Sequence, residues 1–211
     1  MKAMVALAIR SAWARRFPLA LTIFAVAVAT VLLLATERLR HDVRRSFSQA
    51  LSGTDLIVGA RGSPAQILLH TVFHIGQPAQ GVSLKRVEAI AELRQVAWVV
   101  PVALGDSFRG FPVVATDERF LRHVRVGDQQ PLRIAQGREV GAGPEAVIGA
   151  QVARRLGLGT GDPITLSHGS GPLVHAHDER PFTIVGVLAP SGSPIDRSVL
   201  ISLESMHALH A

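Results

Sequence analysis

Residues Phe17 to Thr36, FPLALTIFAVAVATVLLLAT, run for twenty positions without a charge. A helix rises 1.5 Å per residue, so this run spans about 30 Å, the hydrocarbon thickness of a bilayer. Its eleven Phe, Leu, Ile and Val residues favour insertion by roughly 3 to 6 kcal/mol, before Pro18 and three threonines are discounted. A secretory signal peptide shares the basic start and small residues such as Ala25, Ala27 and Ala29, but its apolar stretch is typically about 7 to 15 residues. The polar sequence beyond the run also keeps a helical repeat: Leu39, Val43, Phe47 and Leu51 recur every four residues, with Gly53 as a stop. The expectation is a transmembrane helix over 17–36 that continues as a stalk helix over 37–52. A folded region then occupies 53–211.

The net charge of +6 carries little weight as a nucleic-acid signal. Of the 22 basic residues, Lys2, Arg10, Arg15 and Arg16 precede the apolar run, and Arg38, Arg40, Arg44 and Arg45 follow it. Anionic headgroups attract cations placed there, so membrane lipid is the first partner expected. Aromatic residues make up 5 %, too few for base-stacking platforms, and nucleic acid is set aside as a partner. Four cations on each side leave the orientation open under the positive-inside rule. Residues 1–16 place Val5, Ile9, Ala12 and Trp13 near one face, which suits either an interfacial amphipathic segment or a frayed extension of the span. The chain has no cysteine, which excludes disulfides, thiolate metal sites and cysteine nucleophiles.

Past the stalk, Asp55–Val58 has the composition of a short strand. Gly59 to Pro64 then turns into a helix over 64–74 with Pro64 at its first position. Gln77 to Gly81 is a loop, and Ser83 caps a second helix in which Val87, Ile90, Leu93 and Val96 recur at three-residue spacing. Ala97–Leu104 and Gly110–Thr116 are strand-like, with a turn around Gly105-Asp106 between them. Residues 117–144 are irregular apart from a short helix near 118–123. Ala146–Ile148 predicts a strand, 150–156 a helix closed by Gly157, and Pro163–Ser167 another strand. His168–Arg180 is a loop, Phe182–Ala189 and Ser198–Leu203 are strands, and a helix starts at Ser205. Strands and helices interleave without a strict βαβ rhythm, which favours an α+β fold, as one domain or two lobes.

Candidate chemistry is sparse. Gly59-Ala-Arg-Gly-Ser has the glycines of a phosphate loop but not the G-x-x-x-x-G-K-[ST] pattern, so no nucleotide site is expected and no cofactor is implied. His70 and His74 are four apart, on one face of the predicted helix, at a spacing zinc can use. They lack the glutamate of H-E-x-x-H and so have no general base. His168, His175, His177 and Asp178 crowd one loop and are the candidate metal ligands, against the plainer reading of solvated histidines. His168-Gly-Ser170-Gly lacks the G-x-S-x-G elbow of a serine hydrolase. Asp106 with Arg109, and Asp196 with Arg197, have the look of surface ion pairs. The segment Pro64–Phe73 is apolar around most of its circumference, more than one core-facing stripe requires. It is either a buried helix or a patch in which Ile67, Leu69 and Phe73 meet a partner or a lipophilic substrate.

Several segments in order resemble permeases of the MacB/FtsX class of ABC transporters, also termed mechanotransmission systems. They are the stalk, TDLIVGARGSPAQILLHTVFHIG (54–76), VAWVVPVALGDSFRGFPVVATD (96–117), AVIGAQVARRLGLGTGDPITL (146–166) and PFTIVGVLAPSGSPIDRSVLISLE (181–204). The resemblance covers nearly the whole chain. It implies one transmembrane helix continuing as a stalk into a mixed α/β periplasmic domain over 53–211, in the cytoplasmic (inner) membrane. It further implies three more membrane helices, and the chain ends where the second would approach, as a fragment or truncated product does. The implied role is non-catalytic: a permease part, paired with a second permease copy as a homo- or heterodimer and driven by an ABC ATPase subunit. Such a system moves a lipoprotein, peptide, drug or haem-like substrate, or acts on a periplasmic partner. Leu39, Val43 and Phe47 would then transmit motion along the stalk. The alternative from a different class is a membrane-anchored periplasmic binding module or metal-dependent hydrolase using the His168–Asp178 loop.

Overall fold

The structure, a computed structural model, describes residues 15–50, 52–60, 62–75, 81–168, 175–176 and 181–209, with Met4 and Trp13; for 43–50, 168 and 175–176 it describes the backbone alone. The chain divides into two compact units, Met1–Arg45 and Ser46–Ala211.

Helix α1 is a single 35-residue helix, Arg16–Ala50. Within its stretch Arg16–Asp42 an 18-residue window has a mean hydropathy of 2.5 and none of it is buried, so the helix is long and apolar enough to cross a membrane. The three threonines that weaken the apolar run satisfy themselves within it. Thr22, Thr30 and Thr36 donate to the carbonyls of Pro18, Val26 and Leu32 at 2.9, 2.8 and 2.9 Å, leaving no hydroxyl to be solvated by hydrocarbon. Pro18 sits in the first turn, where a missing N–H breaks no helical bond. The helix runs past the apolar stretch as the four-residue repeat predicts, and Gly53 beyond its end has a left-handed φ of 76°.

The second unit contains, in chain order, α2 (Pro64–Thr71), α3 (Leu84–Ala91), β1 (Ala103–Phe108), β2 (Phe111–Thr116) and α4 (Arg119–His123). There follow β3 (Arg125–Val126), β4 (Gln130–Pro131), β5 (Ile134–Gly137), β6 (Glu145–Ile148), α5 (Ala150–Leu156), β7 (Pro163–Ile164), β8 (Ser167–His168) and β9 (His175–Ala176). The last elements are β10 (Phe182–Leu188), a 3-10 turn at Pro194–Arg197, β11 (Val199–Ser202) and α6 (Leu203–Leu209). Nine strands form a mixed sheet in the order β5-β10-β6-β11-β2-β1-β8-β9, with β7 also on β10. Strands β10 and β6 are parallel, as are β11 and β2, while β11 and β6 are antiparallel. This is an α+β architecture.

The central strands are apolar on both faces, the pattern of a sheet covered on two sides. Alternate residues sort into two cores. Val113, Ala115, Ala146, Ile148, Phe182, Ile184, Val199 and Ile201 pack with Val152 of α5 and Met206 of α6. Val114, Val147, Leu188 and Leu200 face the other way, with Phe120 of α4 and Ile195 of the 3-10 turn. Helix α5 ends as expected at Gly157, whose φ of 65° is the left-handed cap. Strand β10 passes so close to Arg138 that a Cβ on Gly186 would lie 2.2 Å from the Arg138 carbonyl oxygen.

Several expectations are corrected. The β1–β2 turn is Arg109-Gly110, both with positive φ (47° and 81°) and flanked by the pair Phe108↔Phe111; a two-residue hairpin of that kind matches the strand twist. Gly105-Asp106 lies inside β1, at a register irregularity between Leu104 and Ser107. Residues 97–102 are not a strand: Pro101 has no N–H to donate to a ladder, and its carbonyl accepts from Thr116 Oγ1 at 2.8 Å. Residues 54–59 have no regular secondary structure and no ladder partner among the described residues. Helix α2 stops at Thr71, because His74 takes a left-handed φ of 55°. Part of the predicted 168–180 loop is the β8–β9 hairpin, and β3 to β5 lie in the stretch expected to be irregular. Asp196 is no surface ion pair. It is buried, accepting from Ser191 N and Oγ and from Gly192 N at 2.7–3.1 Å, and so holds the 190–197 turn.

Candidate functional site

The stalk candidates lie on α1. Leu39 is 64 % exposed, and Val43 and Phe47 follow on the same helix, their side chains outside the described residues. A repeat of four residues keeps all three near one side of the helix.

The apolar segment after the stalk is assembled differently from the sheet. Ser63 and Gln66 form a capping box at the start of α2, with Pro64 at the first helical position. No residue of α2 or α3 is buried. Ile67 closes over the backbone of the preceding stretch, and a Cβ on Gly59 would lie 2.9 Å from its Cγ2. Leu69 is 46 % exposed, and Phe73 is half-buried and engaged within the fold. Leu56, Val58, Ile75, Leu84 and Leu93 are exposed as well. The fully buried helix considered from the sequence is therefore not what forms.

The segment is anchored at its end by Val72, which is buried, and by His74. The Ser198 hydroxyl donates to the Pro194 carbonyl at 3.3 Å, and its oxygen takes the Nδ1–H of neutral His74 at 2.8 Å. Burial, and secondarily the ring of His70, lower the pKa of His74 from 6.5 to about 4. His70 and His74, whose spacing zinc could use, are thus not on one helical face, and His74 spends a ring nitrogen on Ser198.

Of the histidine-rich loop, His168 lies in β8 and His175 in β9, as direct register partners. His177 and Asp178 lie outside the described residues. Among residues whose side chains are described, no group of three His, Asp or Glu assembles a metal site. Asp106, read from the sequence as one half of a surface ion pair with Arg109, is 4 % exposed within β1, while Arg109 lies over the Phe108 ring. The signal for it was available in the strand-like pattern on either side of Gly105, which asks for a continuous strand rather than a turn. A cavity of about 380 Å³ borders α6, lined by Pro144, Phe182, Ala208 and Leu209 with Glu204 and Ser205; its lining is mostly apolar.

An apolar spanning helix leading into this mixed-sheet unit agrees with a family model described as MacB-like periplasmic core domain, which matches residues 19–210. The chain belongs to that family. No curated protein matches it. Membership places the MacB-like chain among MacB/FtsX-type ABC transporter permeases, where this domain is a non-catalytic permease part and the context includes ATPase partners. A MacB-like domain of periplasmic type with one helix able to span a membrane fits an inner-membrane protein.

Proposed function

We propose that this MacB-like chain is the N-terminal part of a permease that couples ATP-driven motion of a separate ATPase to its folded domain in the periplasm. The domain would thereby export or mechanically act on a lipoprotein, peptide, drug or haem-like substrate. The observation that carries this reading is the continuity of α1. Its 35 residues reach about 52 Å, against about 30 Å of hydrocarbon, so one continuous helix covers the span and some 20 Å beyond it. A helix without a break transmits displacement along its axis where a flexible linker would absorb it. In this reading 1–16 is interfacial, 17–36 spans, 37–52 is the stalk and 53–211 is the periplasmic domain. Leu39, Val43 and Phe47 face a second permease copy along the stalk, and Ile67, Leu69 and Phe73 meet that copy, a periplasmic partner or substrate.

The absence of cysteine makes the test direct, because any single cysteine is unique. In native membranes, Leu39→Cys is expected to form a disulfide between copies whose yield changes when ATP is added. Arg154→Cys in the folded domain is expected to react with an impermeant maleimide added to spheroplasts. Protection of Arg154→Cys, or release of the chain by alkaline carbonate, overturns the reading.

A further inference from the structure

The chain leaving α1 meets a part of the fold that is remote in sequence. The hydroxyl of Ser52, just past the end of the helix at Ala50, accepts from the Gln129 N–H at 3.1 Å, across 77 residues. Gly53 lies against the stem of Arg125, so close that a Cβ on it would stand 3.4 Å from both Cβ and Cγ of that arginine. Both contacts fall on the hairpin β3–β4.

The receiving surface is held by its own local bonds. Gln129 and Gly127 each have a left-handed φ of 56°, and the turn they form presents the Gln129 N–H to Ser52. The Arg125 guanidinium donates to the carbonyls of Arg122 and Val124 at 2.8 and 3.2 Å, which fixes its stem across the end of α4. Alternation along β3 sets Arg125 beside Gly53 and turns Val126, 4 % exposed, into the core with Phe120 and Leu132. His123 of α4 stacks on Trp98, ring centroids 5.0 Å apart, which ties α4 to the segment leading from Leu93 into β1. Strands β3 and β4 form a two-stranded sheet apart from the nine-stranded one, so they can shift without breaking its ladder. Such a ribbon has little stability of its own and follows what packs against it.

We infer that α4, β3 and β4 together are the joint by which displacement of α1 enters the folded domain, with Ser52 and Gln129 as its positioning residues. The inference rests on the coupling role proposed above and names the place where coupling occurs. A displacement at Ser52 and Gly53 is felt first at Gln129 and Arg125. Val126, Phe120 and Leu132 then pass it to Val114 of β2, Val147 of β6 and Leu200 of β11, which share their core. The covalent route instead runs through residues 54–75, where Val72 alone is buried among the described residues. A stretch with so little burial yields where the hairpin transmits.

Hydrogen–deuterium exchange of the full chain in native-membrane nanodiscs, with the ATPase that co-purifies, separates the two routes. Without nucleotide, Ser52→Ala is expected to speed exchange across 119–131 about three- to fivefold, the loss of one hydrogen bond, and to leave 64–74 unchanged. His74→Asn is expected to do the reverse. On addition of ATP, exchange across 119–131 changes in the wild type and stays constant in Ser52→Ala, a difference that a purely local brace does not produce. Ser52→Thr keeps the acceptor and restores both behaviours. Unaltered exchange across 119–131 in Ser52→Ala overturns the joint, as does an ATP response there that is absent from the wild type or survives the substitution. Where the joint alone is at fault, the Leu39→Cys disulfide still responds to ATP; where the coupling role is at fault, it does not.

Discussion

The sheet of residues 103–209 and the stretch from Leu56 to Leu93 have comparable appetites for burial and opposite outcomes. In the sheet, β2, β6, β10 and β11 bury apolar side chains on both faces, and two cores close around them. In the other stretch only Val72 falls among the buried apolar residues, while Leu56, Val58, Leu69, Ile75, Leu84 and Leu93 stand exposed. Apart from α1 and the residues before it, every exposed large hydrophobic of the described chain belongs to this stretch. A soluble fold gains roughly 25 cal/mol for each Å² of apolar surface it hides. The difference therefore separates a body that completes itself from a surface left for something else to cover, in keeping with the proposed contact role of Ile67, Leu69 and Phe73.

The largest expected effect lies in the body. Phe182→Ala empties a fully enclosed position on β10 and is expected to cost about 3 to 5 kcal/mol in denaturant unfolding of the full chain. A loss below about 1 kcal/mol would erase the distinction between the two regions.

A smaller effect tests the seam where the exposed stretch meets the sheet. Free imidazole titrates near 6.5, and His74 in the fold near 4. Between those values the unfolded chain takes up a proton that the folded chain refuses, so stability is full above pH 6.5 and falls as the pH drops towards 4. The fall is of order 3 kcal/mol and levels off below that pH. In His74→Asn, whose side chain tolerates the left-handed φ of 55°, this part of the pH dependence should vanish. An unchanged slope in unfolding free energy against pH would remove His74 as the anchor.

The smallest effect is the sharpest discriminator. Leu69→Ala should change stability by no more than about 0.5 kcal/mol, because nearly half of the residue already stands in water and no core closes over it. A cost of about 2 kcal/mol or more would make Leu69 part of a core and end its candidacy as a contact residue.

How far the sequence discloses this depends on the kind of information each element needs. The apolar run of α1, the α5 helix with Gly157, and strands β10 and β11 are local patterns, and all are present close to their expected places. The short strands β3 to β5 carry Pro131 and Gly137 and no alternation, so only their neighbours make them strands. The reverse holds for Asp55–Val58, whose composition favours a strand that no described neighbour completes. The fate of the acidic residues was equally hidden. Asp106 and Asp196 each have an arginine nearby in sequence, but register puts one beside His168 and loop closure puts the other under Ser191. Contacts across many residues are what a linear pattern omits.

The strand order has a consequence for biogenesis. Strand β2 is walled on one side by β11, which is also the neighbour of β6, so the middle of the sheet stays open until residues 199–202 have been synthesised. Thr116 and Ser202 are separated by a large share of the polypeptide, which at roughly 5 to 20 residues per second takes on the order of ten seconds to appear. During that interval Val113, Val114 and Ala115 have no finished wall to lean on. Until that wall arrives the middle of the sheet cannot close, and the nascent chain stays short of its fold.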